Sequence, residues 1–375
     1  MAIKRTIQER ILQRMHKNKA ILIFGARQTG KSTLSEALIQ KQEESSLSLN
    51  GDDSDVRALF QEANATKLRA IIGNHKIVLI DEAQRIQDIG LAIKIIVDQI
   101  KNVQVIATGS SSFDLASKIN ESLTGRKYEF QLFPFSFGEM VSHHGLLEEK
   151  RMIDHRMLYG YYPEVVTHPG EEEERLKLLA SSYLYKDLLM LDKINKPAML
   201  EKLVQALAWQ VGSEVSLDEI SRLLAIDRKT VEKYIDLLEK AFVIFQVPAF
   251  SQNVRTEIRK GKKIYFCDCG IRNAVINHFQ PVVMRPDKGA LWENFVMAER
   301  LKFLRNQGKD TKLHFWRTTQ QQEIDLIESD AEKLNAIEIK YNPAAKAKFS
   351  STFTGAYPHA QLINVNSTNI ESFLL

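Results

Sequence analysis

Residues 20–34 read AILIFGARQTGKSTL: an apolar run, a glycine-bounded octet and the opening of a helix. The octet Gly25-Ala26-Arg27-Gln28-Thr29-Gly30-Lys31-Ser32 fits GxxxxGK[ST]. A strand before it and a helix after it are the setting in which that pattern cradles phosphate. Glycines let successive backbone N–H groups turn inward, and the N-terminus of the following helix adds the positive end of its dipole. Lys31 is expected on the β and γ phosphates, the Ser32 hydroxyl on Mg²⁺, and Thr33 beside the nucleotide as the helix begins. A nucleoside triphosphate and Mg²⁺ are the expected cofactors.

The flanking sequence extends this into a nucleotide-binding core. Upstream, Ile7, Ile11 and Met15 recur at spacing four, which predicts an amphipathic helix over 3–18. Downstream, a helix to about residue 42 precedes a short strand, Leu47–Asn50, and an acidic group, Asp52, Asp53 and Asp55, that reads as loop capping. Residues 76–85, KIVLIDEAQR, are an almost unbroken apolar run closing on two carboxylates, as a strand buried on both faces would. Asp81 is expected to hold Mg²⁺ and Glu82 to orient or deprotonate the attacking water. A further strand, Val103–Thr108, ends in Gly109-Ser110-Ser111-Ser112. Thr108 or Ser110 would there sense the γ phosphate, or the serines simply cap a helix. Arg126, in Leu123-Thr124-Gly125-Arg126-Lys127, is a candidate arginine finger for its own site or for that of a neighbouring subunit in a homo-oligomer.

With 375 residues the chain has room for two or three domains, and a net charge of +4 allows a nucleic-acid partner without demanding one. No apolar run is long enough for a membrane span, and the N-terminus lacks the apolar stretch of a secretory signal, so a soluble cytoplasmic chain is expected. Cys267 and Cys269, two apart in an apparent strand, are expected to be free buried thiols.

GARQTGKSTL, IDEAQR, TGSSS and SLTGRKYEFQLFPFSF together resemble the prokaryotic AAA-type ATPases that carry a C-terminal domain of unknown function. The resemblance implies an ASCE-type parallel sheet, ATP as the nucleotide, and Glu82 beside Asp81 as the catalytic glutamate.

Residues 139–210 read as helical, with an aromatic turn at Tyr159-Gly160-Tyr161-Tyr162-Pro163-Glu164 that is expected in the core. Ser216-Leu217-Asp218-Glu219 is a capping box, and Asp227 caps a second helix, Arg228–Lys240, after a three-residue turn. Two short helices so joined, followed by strand-like runs at Val243–Phe250 and Lys262–Phe266, predict a winged helix-turn-helix. Arg228, Lys229 and Lys233 on the second helix, with Lys262, Lys263 and the basic link containing Arg255, Arg259 and Lys260, would form a DNA phosphate footprint. A lid or a protein contact is the other use of such a module.

Near the end, Gly289–Asn306 predicts a helix bearing Glu293, followed by strands at Gln322–Ile327 and Leu334–Tyr341. Alternation places Glu323 and Asp325 on one face of the first strand, and Glu338 and Lys340 on one face of the second. An acid on one strand and acid-x-lysine on the next match the PD-(D/E)xK pattern, though Ile324 stands where its proline would be. In that chemistry Asp325 and Glu338 hold Mg²⁺, Lys340 positions water and steadies the developing charge, and Glu293 adds a helical acid.

The reading is an α/β chain in three parts: a P-loop NTPase parallel sheet with helices on both faces (1–150), a helical connector and winged helix-turn-helix (151–282), and a small α/β restriction-endonuclease-like domain (283–375). Its expected work is ATP hydrolysis coupled to action on DNA. The alternative is an ATP-governed switch or DNA-binding regulator whose end module has lost cleavage and binds a protein partner.

Overall fold

The computed structural model describes residues 3–109, 123–191, 197–251, 261–330 and 333–375. The chain divides into two compact units: Met1–Phe135 with Lys240–Phe242, and Ser136–Glu239 with Val243–Leu375.

The first unit is built on a five-stranded parallel sheet in the order β2-β3-β4-β1-β5, comprising β1 (Ala20–Phe24), β2 (Ser46–Asn50), β3 (Ile77–Asp81), β4 (Gln104–Gly109) and β5 (Lys127–Gln131). All of β1 and β4 is buried, which explains their near-continuous apolar sequence. Helices α1 (Ile7–Leu12) and α2 (Lys31–Gln40) bring Ile7, Ile11, Leu34 and Leu38 onto Ile21, Ile23, Ile77, Leu79 and Ile106. Burying each such side chain contributes about 1.5–3 kcal/mol. The expected helix over 3–18 is shorter than its apolar period, yet Met15 beyond its end still joins this core. Two short helices, α3 (Ser54–Leu59) and α4 (Ala65–Ile72), precede β3, and α5 (Ile89–Gln99) follows it, burying Ile89, Ile93 and Ile96.

Because β4 lies between β1 and β3, the loop after β1 and the acids after β3 are two strand spacings apart, about 10 Å. Register aligns Leu22, Ala107 and Ile80, so Asp81 and Thr108 emerge together at the carboxyl edge, level with the last residues of β1.

The second unit opens with helices between 137 and 191 and between 197 and 209. A three-stranded antiparallel sheet follows, in the order β6-β8-β7, from β6 (Glu214–Val215), β7 (Ile244–Pro248) and β8 (Lys262–Phe266). Between β6 and β7 lie α6 (Leu217–Leu224) and α7 (Arg228–Lys240), turned by Ala225 in the left-handed region. Ser216 caps α6 by accepting from the Glu219 N–H, and Asp227 accepts from the Thr230 N–H at the start of α7.

Helix α8 (Lys288–Gln307) then leads to a second sheet, β12-β11-β10-β9, formed by β9 (Lys312–Arg317), β10 (Glu323–Ser329), β11 (Leu334–Ile339) and β12 (Gln361–Val365). Helix α9 (Ser351–Ala356) comes between β11 and β12, which pair in parallel, whereas β9, β10 and β11 run antiparallel. The register slips between Ile324 and Ile327, so both face one core with Trp316, Ala336 and Phe353. That bulge breaks the simple alternation just beside Asp325, where such a kink re-aims a side chain.

The hairpin and the last module share one body. Asn294 of α8 extends the edge of β8, its side chain accepting from the Phe266 N–H at 2.7 Å and donating to the Phe266 carbonyl at 3.2 Å. The Phe250 N–H donates to the Phe315 carbonyl at 2.6 Å. Tyr161 and Tyr162 are buried, in keeping with a core role for the aromatic turn, and Cys267 and Cys269 are free and buried. Among the described residues no helix is long and apolar enough to cross a membrane.

Candidate functional sites

The loop after β1 requires glycine at two positions. A Cβ on Gly25 would stand 2.2 Å from the Leu132 carbonyl oxygen, and Gly30 caps α2 with φ +89°. Gln28 adopts φ 58° between them. Thr29 closes the turn by donating to the Ala26 carbonyl at 2.8 Å. Lys31 is buried, and its Nζ donates to the Gly25 and Ala26 carbonyls at 3.0 and 2.9 Å, which keeps the ammonium within the ring of the loop. The sequence reading missed Arg5. It is buried, and its guanidinium donates to the Thr29 carbonyl at 2.8 Å and the Phe133 carbonyl at 2.5 Å, bracing the loop from behind.

At the same edge, Ser32 Oγ donates to Asp81 Oδ2 at 2.8 Å, and the buried Thr108 hydroxyl donates to Asp81 Oδ1. Two hydroxyls thus fix both oxygens of one carboxylate beneath the loop. Glu82 follows in the left-handed region at φ 47°, a conformation that costs a non-glycine residue about 1–3 kcal/mol and clusters at functional sites. Its carboxylate accepts from Gln84 Nε2 at 2.5 Å. These groups fit a magnesium nucleotide: the glycine-bounded loop and Lys31 for phosphate, Ser32 and Asp81 for the ion. Ser110 lies outside the described residues; Thr108, its named alternative, sits against Asp81.

The geometry bears on the same-chain form of the arginine-finger reading. The Ala20 N–H donates to the Arg126 carbonyl at 2.9 Å, so Arg126 lies at the amino edge of the sheet, one strand length, about 16 Å, from the loop. It pairs there with Asp98 at 2.7 Å. Arg126 therefore does not complete the site of its own chain.

A second cluster forms in the other unit. Lys340 Nζ lies 2.6 Å from Glu338 Oε2 and 3.0 Å from Asp325 Oδ2, and Asp325 also accepts from the Ile339 N–H at 2.7 Å. Burial, then repulsion from Asp325, pushes the Glu338 carboxyl up to about 7. Burial works to lower the Lys340 ammonium, but Asp325 and Glu338 outweigh it and raise it. Glu293 accepts from the Tyr265 hydroxyl at 2.6 Å and Lys263 Nζ at 3.1 Å, and burial raises its carboxyl above the ordinary range. Among the described residues no group of three or more His, Cys, Asp or Glu is arranged to hold a metal. Asp325 and Glu338 flank one position as a pair, and Mg²⁺ is commonly held by one or two carboxylates with water and phosphate.

The expected DNA footprint changes most. Lys263 is 2% exposed and lies between Glu293 and Glu323, so it cannot meet a phosphate backbone. Arg228 pairs with Asp218 at 3.3 Å and Glu232 at 3.5 Å, and Lys262 donates to Gln246 at 3.1 Å. Lys229 and Lys233 are exposed. Arg255, Arg259 and Lys260 lie outside the described residues.

A family model described as an AAA domain matches residues 17–141, and two models described as domains of unknown function match residues 150–281 and 288–373. An uncharacterized protein of Mycobacterium tuberculosis is 26% identical over 342 residues, spanning 90% of this chain and 74% of its own. One of Methanocaldococcus jannaschii is 24% identical over 373 residues, spanning 93% and 81%. Among solved structures, the ORC1 protein of Aeropyrum pernix in complex with DNA has a TM-score of 0.32 at 13% identity, covering 72% of this chain and 91% of its own. A mutant of Thermotoga maritima RuvB has the same score and identity, covering 68% and 92%. The AAA-domain match over 17–141, the glycine-bounded loop and the parallel sheet together support a P-loop ATPase of the AAA type.

Proposed function

We propose that the chain hydrolyses ATP at the β1 loop and couples that cycle to Mg²⁺-dependent cleavage of DNA by its C-terminal module. The observation that carries the first half is Asp81 gripped by the Ser32 and Thr108 hydroxyls beneath a loop containing Lys31. When nucleotide is bound, Lys31 and the loop amides of residues 25–32 neutralise phosphate charge, Ser32 and Asp81 hold the ion, and Glu82 takes a proton from water. A bound ion would supply further charge neutralisation at the phosphates. From its amino-edge position, Arg126 acts on a neighbouring copy.

The second half rests on Lys340 held by Asp325 and Glu338 at one end of two paired strands. The module has the succession helix, three strands, helix, strand, which supports a restriction-endonuclease-like reading. Asp325 and Glu338 would hold the ion, which screens the phosphodiester charge, and Lys340 would orient water. The adjoining helix-turn-helix and hairpin support a winged helix, with Lys229 and Lys233 as its phosphate contacts.

The pairing of Arg228 and the burial of Lys263 favour a second reading, in which the module binds a protein partner and ATP sets its conformation. Single- and double-stranded DNA incubated with Mg²⁺ or Mn²⁺, with and without ATP, separates the two. Cleavage by the wild type that Asp325→Ala abolishes while ATP turnover persists is expected; no cleavage in any condition overturns the nuclease reading.

A further inference from the structure

Lys263 arrives in the carboxylate cluster from a part of the chain that sequence assigns to a different job. It lies on β8, opposite Val247 of β7, and the Asn294 bonds to Phe266 fix that strand against α8. Backbone pairing thus delivers its ammonium between Glu293 Oε1, at 3.1 Å, and Glu323 Oε1. Each carboxylate has a further neighbour. Glu293 Oε1 also accepts from Tyr265, and the far side of the carboxylate faces Gly212, where a Cβ would lie 3.4 Å from its oxygens. The second oxygen of Glu323 lies 3.8 Å from Arg317 Nε, and Arg317 also pairs with Glu214.

Resting on the nuclease-like reading above, we infer that Lys263 is the resident cation of the Glu293–Glu323 pair and closes that half of the cluster to divalent metal, leaving Asp325 and Glu338 to take an ion. The physical reason is charge and space. A divalent ion needs oxygens at about 2.0–2.1 Å and room for its waters. Here one oxygen of each carboxylate, Glu293 Oε1 and Glu323 Oε1, is taken by a buried ammonium, which would repel an ion entering beside it. Four carboxylates on α8, β10 and β11 therefore behave as two pairs, each against a lysine: Lys263, 2% exposed, is sealed into one, whereas Lys340, 32% exposed, can swing out of the other and admit an ion.

The test counts bound Mn²⁺ by electron paramagnetic resonance on nucleotide-free full-length protein carrying Asp81→Asn, which removes the ion contact at the loop. With Lys263 present, one Mn²⁺ per chain is expected, lost on Asp325→Asn. Lys263→Gln, which keeps a hydrogen-bond donor without the charge, is expected to gain a second Mn²⁺ that Glu293→Gln removes, whereas Lys263→Arg gains none. Equal stoichiometry with Lys263 and with Lys263→Gln overturns the inference. If Lys263→Gln unfolds without metal, Mn²⁺ is expected to restore its thermal transition, because binding to the native state alone stabilises it; no rescue overturns the inference as well. Loss of the Asp325-dependent ion in the parent strikes instead at the nuclease reading.

Discussion

The loop site of the first unit and the carboxylate cluster of the second are both built from acids beside a lysine at the ends of strands, yet they handle charge differently. At the loop, Lys31 bonds neutral carbonyls and Asp81 is held by neutral hydroxyls. In the cluster, Lys340 and Lys263 lie against carboxylates, and burial raises Glu338 and Glu293. Held by dipoles, Asp81 keeps its charge for a cation. A site of paired ions must exchange an internal cation for an external one.

The largest effect expected from this contrast is on turnover in assembled protein. If Arg126 serves a neighbour, specific ATPase activity rises with protein concentration, and Arg126→Ala lowers its plateau about 10³-fold with ATP affinity retained. Concentration-independent turnover, unchanged in Arg126→Ala, would remove it from the mechanism.

Within one chain, Glu82→Gln should cut phosphate release about 10²–10³-fold in steady-state assays while fluorescent ATP analogues still bind. Lys31→Ala should lose a similar factor and weaken nucleotide binding as well, since its ammonium would contact phosphate in both ground and transition states. If both variants lost binding equally, Glu82 would be a binding rather than a catalytic group.

The smallest effect sharpens the other side. The folded Glu338 carboxyl is raised from 4.5 to about 7, so the folded state binds more protons than the unfolded one across that window. Its contribution is present below about pH 4.5 and lost as pH rises through about 7. Denaturant unfolding should therefore show stability falling by roughly 1 kcal/mol across the window, after allowance for solvent screening, and Glu338→Gln should flatten the slope. A slope unchanged in Glu338→Gln would mean that the cluster is less tightly coupled than its distances imply.

Much of this was legible in the chain. The glycine spacing of residues 25–32 and the apolar runs into Asp81 and Thr108 carry local rules, because loop conformation and burial on both faces act within a few residues. The capping groups Ser216 and Asp227 were readable for the same reason. The bulge after Ile324 was not, since it arises in the pairing of β10 with β9.

By itself, then, the sequence determined the phosphate loop, the acids after β3, the paired helices α6 and α7, and the acid and acid-x-lysine strands, all of which depend on near neighbours. Tertiary structure alone decided that Arg5 braces the loop, that Arg126 lies at the opposite edge from it, and that Lys263 is buried between Glu293 and Glu323. Those outcomes depend on sheet order and strand register, which join residues more than twenty positions apart, and a side chain's charge does not reveal which distant partner will take it out of water.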